Sequence, residues 1–384
     1  MMKKRFVLGM ILTLMFMPWT VSSVVAADTI VIGCVTPLSG GYAQYGINTQ
    51  RGLEWAFEEI NAAGGVKIKD KSYHLKVEAC DDEGKSDVAA TCGRKIASMY
   101  RAPIIYTPTS YAGFPMMGYN EKMNFIVMAT SQSPPFTQKG NKLVIRWLNS
   151  VDRSMGPWVK FLITQFMKNK LNIQKIGVME INTEIGKNWA GAFMREWKAN
   201  GGVISAREVF DANATDFYTQ MTSLLAGKPD GIMMCGPPAE PSSLIFKQGR
   251  ELGFKGIFIC SVSTDPEKLM TLVKPEWLEN TFIEALSWTL PHPAIDALKS
   301  KYQKKYNDLP VFAFGLSYEG GFAIKRAIEK AQSLEPSKIW EVFNSVLPLP
   351  NCIFCGKDMD KTGDIFFPTF LQHFKGGKFV ALKD

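Results

Sequence analysis

The chain has 384 residues, of which 46% are hydrophobic and 12% aromatic, and its formal net charge is +8 at pH 7. This length is too great for one small domain and fits two lobes. The lysines are scattered in ones and twos rather than gathered in a basic stripe, which argues against nucleic-acid binding.

Residues 1–27 are typical of an export signal, since Lys3, Lys4 and Arg5 precede a short apolar run and Ala26-Ala27 ends it. Its removal takes away three basic residues and no acidic ones, which leaves a net charge of +5. No later stretch approaches the ~20 apolar residues of a membrane span. We therefore expect a periplasmic protein. Cys34 also fits a lipoprotein cleavage box, but the alternation around it favours a buried strand.

Short apolar runs alternate with longer amphipathic runs from residue 29 onwards. The runs predicted as strands are 30–35, 75–79, 103–107, 125–129, 175–180, 203–210, 231–235 and 256–259. The runs predicted as helices are 50–61, 87–100, 114–121, 155–169, 189–200, 217–225, 242–252 and 265–272. This order predicts an α/β fold with two doubly wound parallel-sheet lobes. Ligands of such sheets bind at the carboxyl ends of the strands, so we expect a site in a cleft between the lobes.

Motifs of catalysis are missing from the sequence. The three histidines, His74, His292 and His373, do not follow the predicted strand ends, and neither a Gly-x-Ser-x-Gly motif nor a complete phosphate-binding loop is present. We expect no enzyme activity, no metal and no cofactor, although an exported enzyme stays a third hypothesis.

Seven cysteines leave at least one outside any internal disulfide. Cys80 and Cys92 flank a turn into a helix and are able to bridge. We interpret Cys352 and Cys355 as a local disulfide or as two inert thiols, because no further zinc ligands lie nearby in the sequence.

Several motifs together resemble the leucine/isoleucine/valine-binding family, the type I periplasmic binding proteins of ABC importers. They are Pro37-Leu38-Ser39-Gly40, Ala43-Gln44-Tyr45-Gly46, Glu59-Ile60-Asn61-Ala62-Ala63-Gly64-Gly65, Lys228-Pro229-Asp230-Gly231, Gln248-Gly249-Arg250-Glu251-Leu252-Gly253 and Gly376-Gly377-Lys378-Phe379-Val380. The resemblance covers essentially the whole mature chain.

The resemblance implies two lobes joined by three hinge crossovers, with residues 28–148 and 287–346 in the first lobe and 149–286 and 347–384 in the second. It also implies a solute-binding protein that works with an ABC permease in the inner membrane, as a monomer and without a cofactor. A sensory ligand-binding protein with the same fold is the second hypothesis.

The resemblance further implies that hydroxyl and amide groups of the first lobe hold a ligand carboxylate. The matching positions are Ser110 and the loop of Thr130, Ser131 and Gln132, and Tyr45 matches an aromatic side wall. Tyr111 is a candidate for stacking against an aromatic ligand. A desolvated carboxylate needs several such donors.

The family's ammonium-binding positions carry other residues here, namely Ile185, Pro238 and Val262. A buried ammonium without a carboxylate partner costs several kcal/mol. We therefore expect an aromatic or aliphatic acid without an α-ammonium group. The alternative is a branched-chain or aromatic amino acid, whose ammonium would be held by Thr264, Asp265, Glu184 or Glu240.

Overall fold

The computed structural model of the protein describes residues 28–382. The predicted signal peptide, residues 1–27, lies outside these residues. Within the described range, none of the helices combines the length and the apolar character that a membrane crossing requires.

The first sheet has six strands in the order β2-β3-β1-β4-β5-β6. Its strands are β1 (Asp28–Thr36), β2 (Val66–Ile68), β3 (Lys71–Asp81), β4 (Ile104–Thr107), β5 (Ile126–Ala129) and β6 (Val144–Arg146). The intervening helices are α1 (Ala43–Ala62), α2 (Ser86–Tyr100), α3 (Ser110–Met117), α4 (Asn120–Met123) and α5 (Pro135–Gln138). All neighbouring strands are parallel except β2, which forms an antiparallel hairpin with β3.

The second sheet has seven strands in the order β13-β12-β11-β10-β9-β7-β8. Its strands are β7 (Lys175–Ile181), β8 (Val203–Phe210), β9 (Gly231–Cys235), β10 (Ile257–Cys260), β11 (Phe282–Leu286), β12 (Thr369–Lys375) and β13 (Lys378–Leu382). Its helices are α6 (Val151–Lys168), α7 (Glu184–Ala199), α8 (Tyr218–Ala226), α9 (Ala239–Glu251), α10 (Pro266–Leu272) and α11 (Pro275–Leu278). The strands β12 and β13 are antiparallel to their neighbours, so both sheets are mixed rather than purely parallel.

The chain passes between the two sheets three times: after β6, after β11 and before β12. Between the last two crossings lie α12 (Pro293–Tyr306), α13 (Phe312–Ala331) and α14 (Pro336–Phe343). The helix α13 returns to the first sheet and packs against α1, so closely that a Cβ atom at Gly52 would lie 2.1 Å from the Ser317 hydroxyl. The prediction of two α/β lobes with three crossovers is therefore confirmed, while the residue limits of each lobe stay a prediction.

Element boundaries differ from the sequence prediction where tertiary packing decides them. The helix α1 begins at Ala43 rather than at residue 50, because its first turns pack over the loop after β1: a Cβ atom at Gly46 would lie 1.6 Å from the Pro37 carbonyl oxygen. The three-residue strands β2 and β6 are too short to give a periodic signal. The predicted helix at 114–121 is two shorter helices, α3 and α4.

Four of the seven cysteines form disulfides, Cys80 with Cys92 and Cys352 with Cys355. The other three, Cys34, Cys235 and Cys260, are buried and unpaired in the described part of the chain. Cys34 lies within β1 with none of its surface exposed, as the strand interpretation expects. Burial raises the pKa of each of the three thiols, which keeps them protonated and unreactive.

Replacing both Cys80 and Cys92 with alanine should lower the free energy of unfolding by about 3 kcal/mol, because the disulfide closes a loop of sequence separation 12. Denaturant titration of the two variants measures this. The matched control replaces Cys352 and Cys355, which close a loop of separation 3 and should cost about 2 kcal/mol. Equal losses for both pairs would contradict the loop-length argument.

Candidate functional site

A cavity lies between the two lobes at the carboxyl ends of their strands. It contains about 740 Å³ of empty space, including its opening to solvent. Its walls are formed by Tyr42, Tyr45, Pro108, Thr109, Ser110, Tyr111, Thr130, Gln132, Leu148, Thr183, Glu184, Ile185, Gly236, Val262, Ser263, Phe312 and Ala313. Seven of the nine predicted site residues are among these, and Ser131 and Pro238 are not.

Hydrogen-bond donors gather where α3 begins. Ser110 is the first residue of this helix, and Thr109, which precedes it, makes no side-chain cap. The first amides of a helix have no partner within it, so the N-terminus of α3 offers N–H groups to an anion. The Ser110 hydroxyl lies 2.8 Å from that of Ser131, which is buried behind it. Ser131 thus supports Ser110 and does not line the cavity.

The loop after β5 supplies Thr130 and Gln132. Gln132 is 4% exposed, and its Oε1 atom accepts a hydrogen bond of 2.8 Å from the indole N–H of Trp189 on α7. An amide whose oxygen is already an acceptor is left with N–H donors, which suits a carboxylate.

The fully buried Arg146 holds this loop from behind. Its guanidinium donates to the carbonyl oxygens of Ser131 (3.2 Å) and Pro134 (3.0 Å) and to the hydroxyl of Thr137 (3.1 Å). Its Nε atom lies 3.3 Å from a carboxyl oxygen of Asp364, which belongs to the segment before β12. The loop geometry therefore depends on a buried ion pair.

Four aromatic rings border the cavity. Tyr42 lies 6.4 Å from both Tyr45 and Tyr111, between ring centroids, and Tyr45 lies edge-on to Phe312 at 5.5 Å. The Tyr111 hydroxyl donates to Asp82 at 2.9 Å, which leaves its ring as the face toward a ligand. Burial raises the pKa of Tyr42 to about 12, so this hydroxyl stays neutral. Such walls suit an apolar or aromatic ligand body.

The second lobe contributes both polar and apolar residues to the cavity, and its apolar ones stand at positions where the sequence comparison expected ammonium ligands. Ile185, in the first turn of α7, and Val262, after β10, both line the cavity. Pro238 does not line this cavity: the chain turns at Gly236, whose φ is +92°, and Pro238 is the N-cap of α9. Gly236 lines the cavity at this point instead, and because glycine has no side chain, only backbone atoms form the wall there.

Glu184 is the one carboxylate among the described residues that line the cavity. Its Oε1 atom accepts a hydrogen bond of 2.6 Å from Ser133 of the first lobe. Asp265 is fully buried and caps α10, and burial raises its pKa to about 6. Neither Asp265 nor Glu240 lines the cavity. Within residues 28–382, no three His, Cys, Asp or Glu side chains are arranged so that they could hold a metal ion.

Several contacts join the lobes around the cavity. The Tyr45 hydroxyl donates to the Ser263 carbonyl oxygen, and Asn188 on α7 donates to the Ser133 hydroxyl at 2.9 Å. Farther out, Lys268 lies 3.2 Å from Asp308, and Lys299 lies 2.5 Å from Glu267. The structure therefore shows the two lobes closed over the site.

Sequence reasoning missed Tyr42, Phe312, Leu148 and Thr183. A signal existed for Tyr42, which precedes Tyr45 by three residues and thus lies on the same side of a helical turn. No local signal marks Phe312, because it reaches the site from α13, far along the chain.

Comparisons with known proteins agree on one architecture. A family model described as "Periplasmic binding protein" matches residues 29–365. The Leu/Ile/Val-binding protein BraC3 of Rhizobium johnstonii is 25% identical over 92% of this chain and 93% of its own length. A Leu-, Ile-, Val-, Thr- and Ala-binding protein of Pseudomonas aeruginosa is 24% identical over 83% of each chain.

Solved structures share the fold. The branched-chain amino acid transporter substrate-binding protein LivJ of Streptococcus pneumoniae, in complex with isoleucine, superposes with a TM-score of 0.77 at 20% identity, over 92% of this chain and 100% of that one. The leucine-binding protein LivK of Thermotoga maritima gives the same TM-score over 92% and 98% of the two chains.

Proposed function

Because the chain belongs to the periplasmic binding protein family, we propose that it is the extracytoplasmic solute-binding protein of an ABC importer. In this proposal the signal of residues 1–27 exports it to the periplasm, where it closes its lobes on a small carboxylate ligand and presents it to an inner-membrane permease. Hinge closure around a bound solute is the domain motion that such folds perform.

The hydrogen-bond donors of the first lobe, called the donor cluster below, support the proposal that the ligand has a carboxylate group. Ser110, Thr130 and the amide of Gln132 border one cavity together with the uncapped N-terminus of α3. A carboxylate leaving water needs several hydrogen bonds to replace its hydration, and a helix N-terminus adds a favourable dipole. In the described part of the site, Glu184 is the only negative charge on the walls, and Ser133 already binds it.

The opposite wall favours a ligand without an α-ammonium group. Ile185, Val262 and Gly236 offer an ammonium no charged partner, and Glu184, the carboxylate on the same wall, already accepts a hydrogen bond from Ser133. The aromatic rings of the first lobe suit an apolar ligand body. An aromatic or aliphatic acid fulfils both conditions.

A branched-chain or aromatic amino acid is the second candidate, and two observations favour it. The relatives in the comparisons are named for amino acids that they bind. Glu184 lines the cavity and would be the partner of an ammonium once Ser133 released it.

A thermal-shift screen with matched pairs separates the two candidates. The pairs are 4-methylpentanoate with leucine and 3-phenylpropanoate with phenylalanine. A ligand at 100 times its dissociation constant should stabilise the folded protein by ~2.7 kcal/mol. We expect the acids to stabilise and the amino acids to have no effect.

If only the amino acids stabilise the protein, the ligand is an amino acid, as in the second candidate function. In that event, Glu184→Gln should remove the effect, and Glu341→Gln, an exposed acid on α14, should preserve it. If none of the four compounds shifts the transition, the proposed ligand class is wrong.

A further inference from the structure

One acidic side chain behind the cavity wall has no role in what has been described so far. Glu284 lies in the middle of β11 and is 1% exposed. Neither of its carboxyl oxygens makes a hydrogen bond of acceptable length and angle among the described residues. Buried carboxyl groups are usually hydrogen-bonded, so an unpartnered one next to a ligand site calls for an explanation.

The register of the sheet places Glu284 behind the cavity wall. Ile283 pairs with Cys260, the last residue of β10, so Glu284 lies one step farther, beside the loop that leads to Val262. Two donors lie near enough to act on its pKa, the Val262 amide and the side chain of Gln132. Val262 and Gln132 line the cavity from opposite lobes, and Glu284 therefore lies where the lobes meet.

The hydrogen bonds of Gln132 determine what it can offer a ligand. Its Oε1 atom already accepts the Trp189 indole N–H at 2.8 Å, so its nitrogen keeps two N–H donors. If an acceptor behind the wall took one of them, the other would be directed into the cavity.

We propose that Glu284 is a positioning residue for the ligand: its carboxyl group accepts one N–H of Gln132, fixes the orientation of that amide, and leaves the second N–H for the ligand's carboxylate. This rests on the proposed function in one respect, namely that the ligand carries a carboxylate.

The surroundings of Glu284 keep its carboxyl group mainly neutral at pH 7. Burial raises its pKa to about 8, although the Val262 amide and the Gln132 side chain act in the opposite direction, and no cation adds to their effect. On the neighbouring strand β12, His373 is neutral because burial lowers its pKa to about 4, and the Cys260 thiol on β10 is also neutral. Of the other acids on this lobe, Glu184 lines the cavity from α7 and Asp265 caps α10 away from the cavity, and the charged side chains of α6 are exposed to solvent.

Ligand binding then becomes linked to a proton. The pKa of Glu284 is high in the closed protein, and opening of the lobes toward solvent lowers it. Closure therefore takes up a proton, and affinity falls as the pH rises toward about 8. An ionised Glu284 would also repel the ligand's carboxylate.

Calorimetric titration at pH 7.0 and pH 8.5 tests the proposal with whichever of the four matched compounds binds. We expect the unmodified protein to bind about five- to tenfold more weakly at pH 8.5. Asp82 and Asp265, with pKa values raised to about 6, are largely ionised at both pH values. The variant Glu284→Gln keeps the acceptor oxygen but has no titrating proton. Its affinity for the ligand should therefore differ less than twofold between pH 7.0 and pH 8.5.

A second variant tests the positioning role independently of pH. Glu284→Met removes the acceptor and should weaken binding about tenfold at pH 7.0. Unchanged affinity in this variant, or the same pH dependence in Glu284→Gln as in the unmodified protein, would overturn the proposal.

A ligand-free measurement distinguishes failure of this inference from failure of the proposed function. With glutamine labelled selectively, the side-chain amide signal of Gln132, assigned by its loss in Gln132→Ala, should shift with a midpoint near pH 8 in the unmodified protein. A signal that stays constant between pH 6.5 and 9 contradicts the contact, whether or not any of the four compounds binds.

Discussion

Replacing Asp364 with alanine should lower the free energy of unfolding by about 3–5 kcal/mol, because it leaves the buried guanidinium of Arg146 without its counter-charge. Arg146 has no exposed surface, and Asp364 is the carboxylate at 3.3 Å from its Nε atom. Burial lowers the pKa of Arg146, and the charge of Asp364 opposes that shift, so the pair is interdependent.

Urea denaturation at pH 7 measures the loss, and Glu341→Ala serves as the control. Glu341 is an exposed acid without an ion pair among the described residues, and its replacement should change stability by less than about 0.5 kcal/mol. A similarly small effect for Asp364→Ala would mean that the loop 131–137 holds Arg146 without the carboxylate.

Replacing Gln132 with alanine should weaken ligand binding by about ten- to a hundredfold. A hydrogen bond to a charged group contributes about 1.5–3 kcal/mol, and the variant also leaves the indole N–H of Trp189 buried without its acceptor. The measurement is calorimetry with the compound that the thermal-shift screen identifies.

The matched control is Gln303→Ala, which removes an exposed glutamine on α12 and should leave the affinity unchanged. If Gln132→Ala binds as tightly as the unmodified protein, the amide does not hold the ligand, and the donor cluster is reduced to Ser110, Thr130 and α3.

The alternation of strands and helices was sufficient to predict both lobes, because each βα unit carries its own local periodicity. The resemblance to the leucine/isoleucine/valine-binding family, drawn from short motifs, is confirmed by the family match over residues 29–365. The antiparallel strands β12 and β13 were not predicted. They complete the second sheet only through pairing with β11, and such distant pairing leaves no local pattern.

The site was predictable where a residue directly follows a strand. Ser110, Thr130 and Gln132 follow β4 and β5, so the topology alone brings them to one edge of the first sheet. Gly236 lines the cavity where the sequence pointed to Pro238, because the chain turns two residues earlier, and a turn of this kind has no periodic signal. The support provided by Arg146, Trp189 and Glu284 was not predictable, since it depends on packing between elements that are distant in the chain.

The three crossings between the lobes also constrain the order in which the protein can fold. The strands of the first sheet are complete at residue 146, but α13, which packs on α1, ends only at Ala331. The second sheet remains open beside β11 until β12 arrives at residue 369. The first lobe is therefore complete only once α13 has been made and the second only once β12 has been made, and long-range contacts of this kind slow folding. We therefore expect a nascent chain with this topology to complete both cores only late in its synthesis, a delay that would suit the proposed export of an unfolded chain.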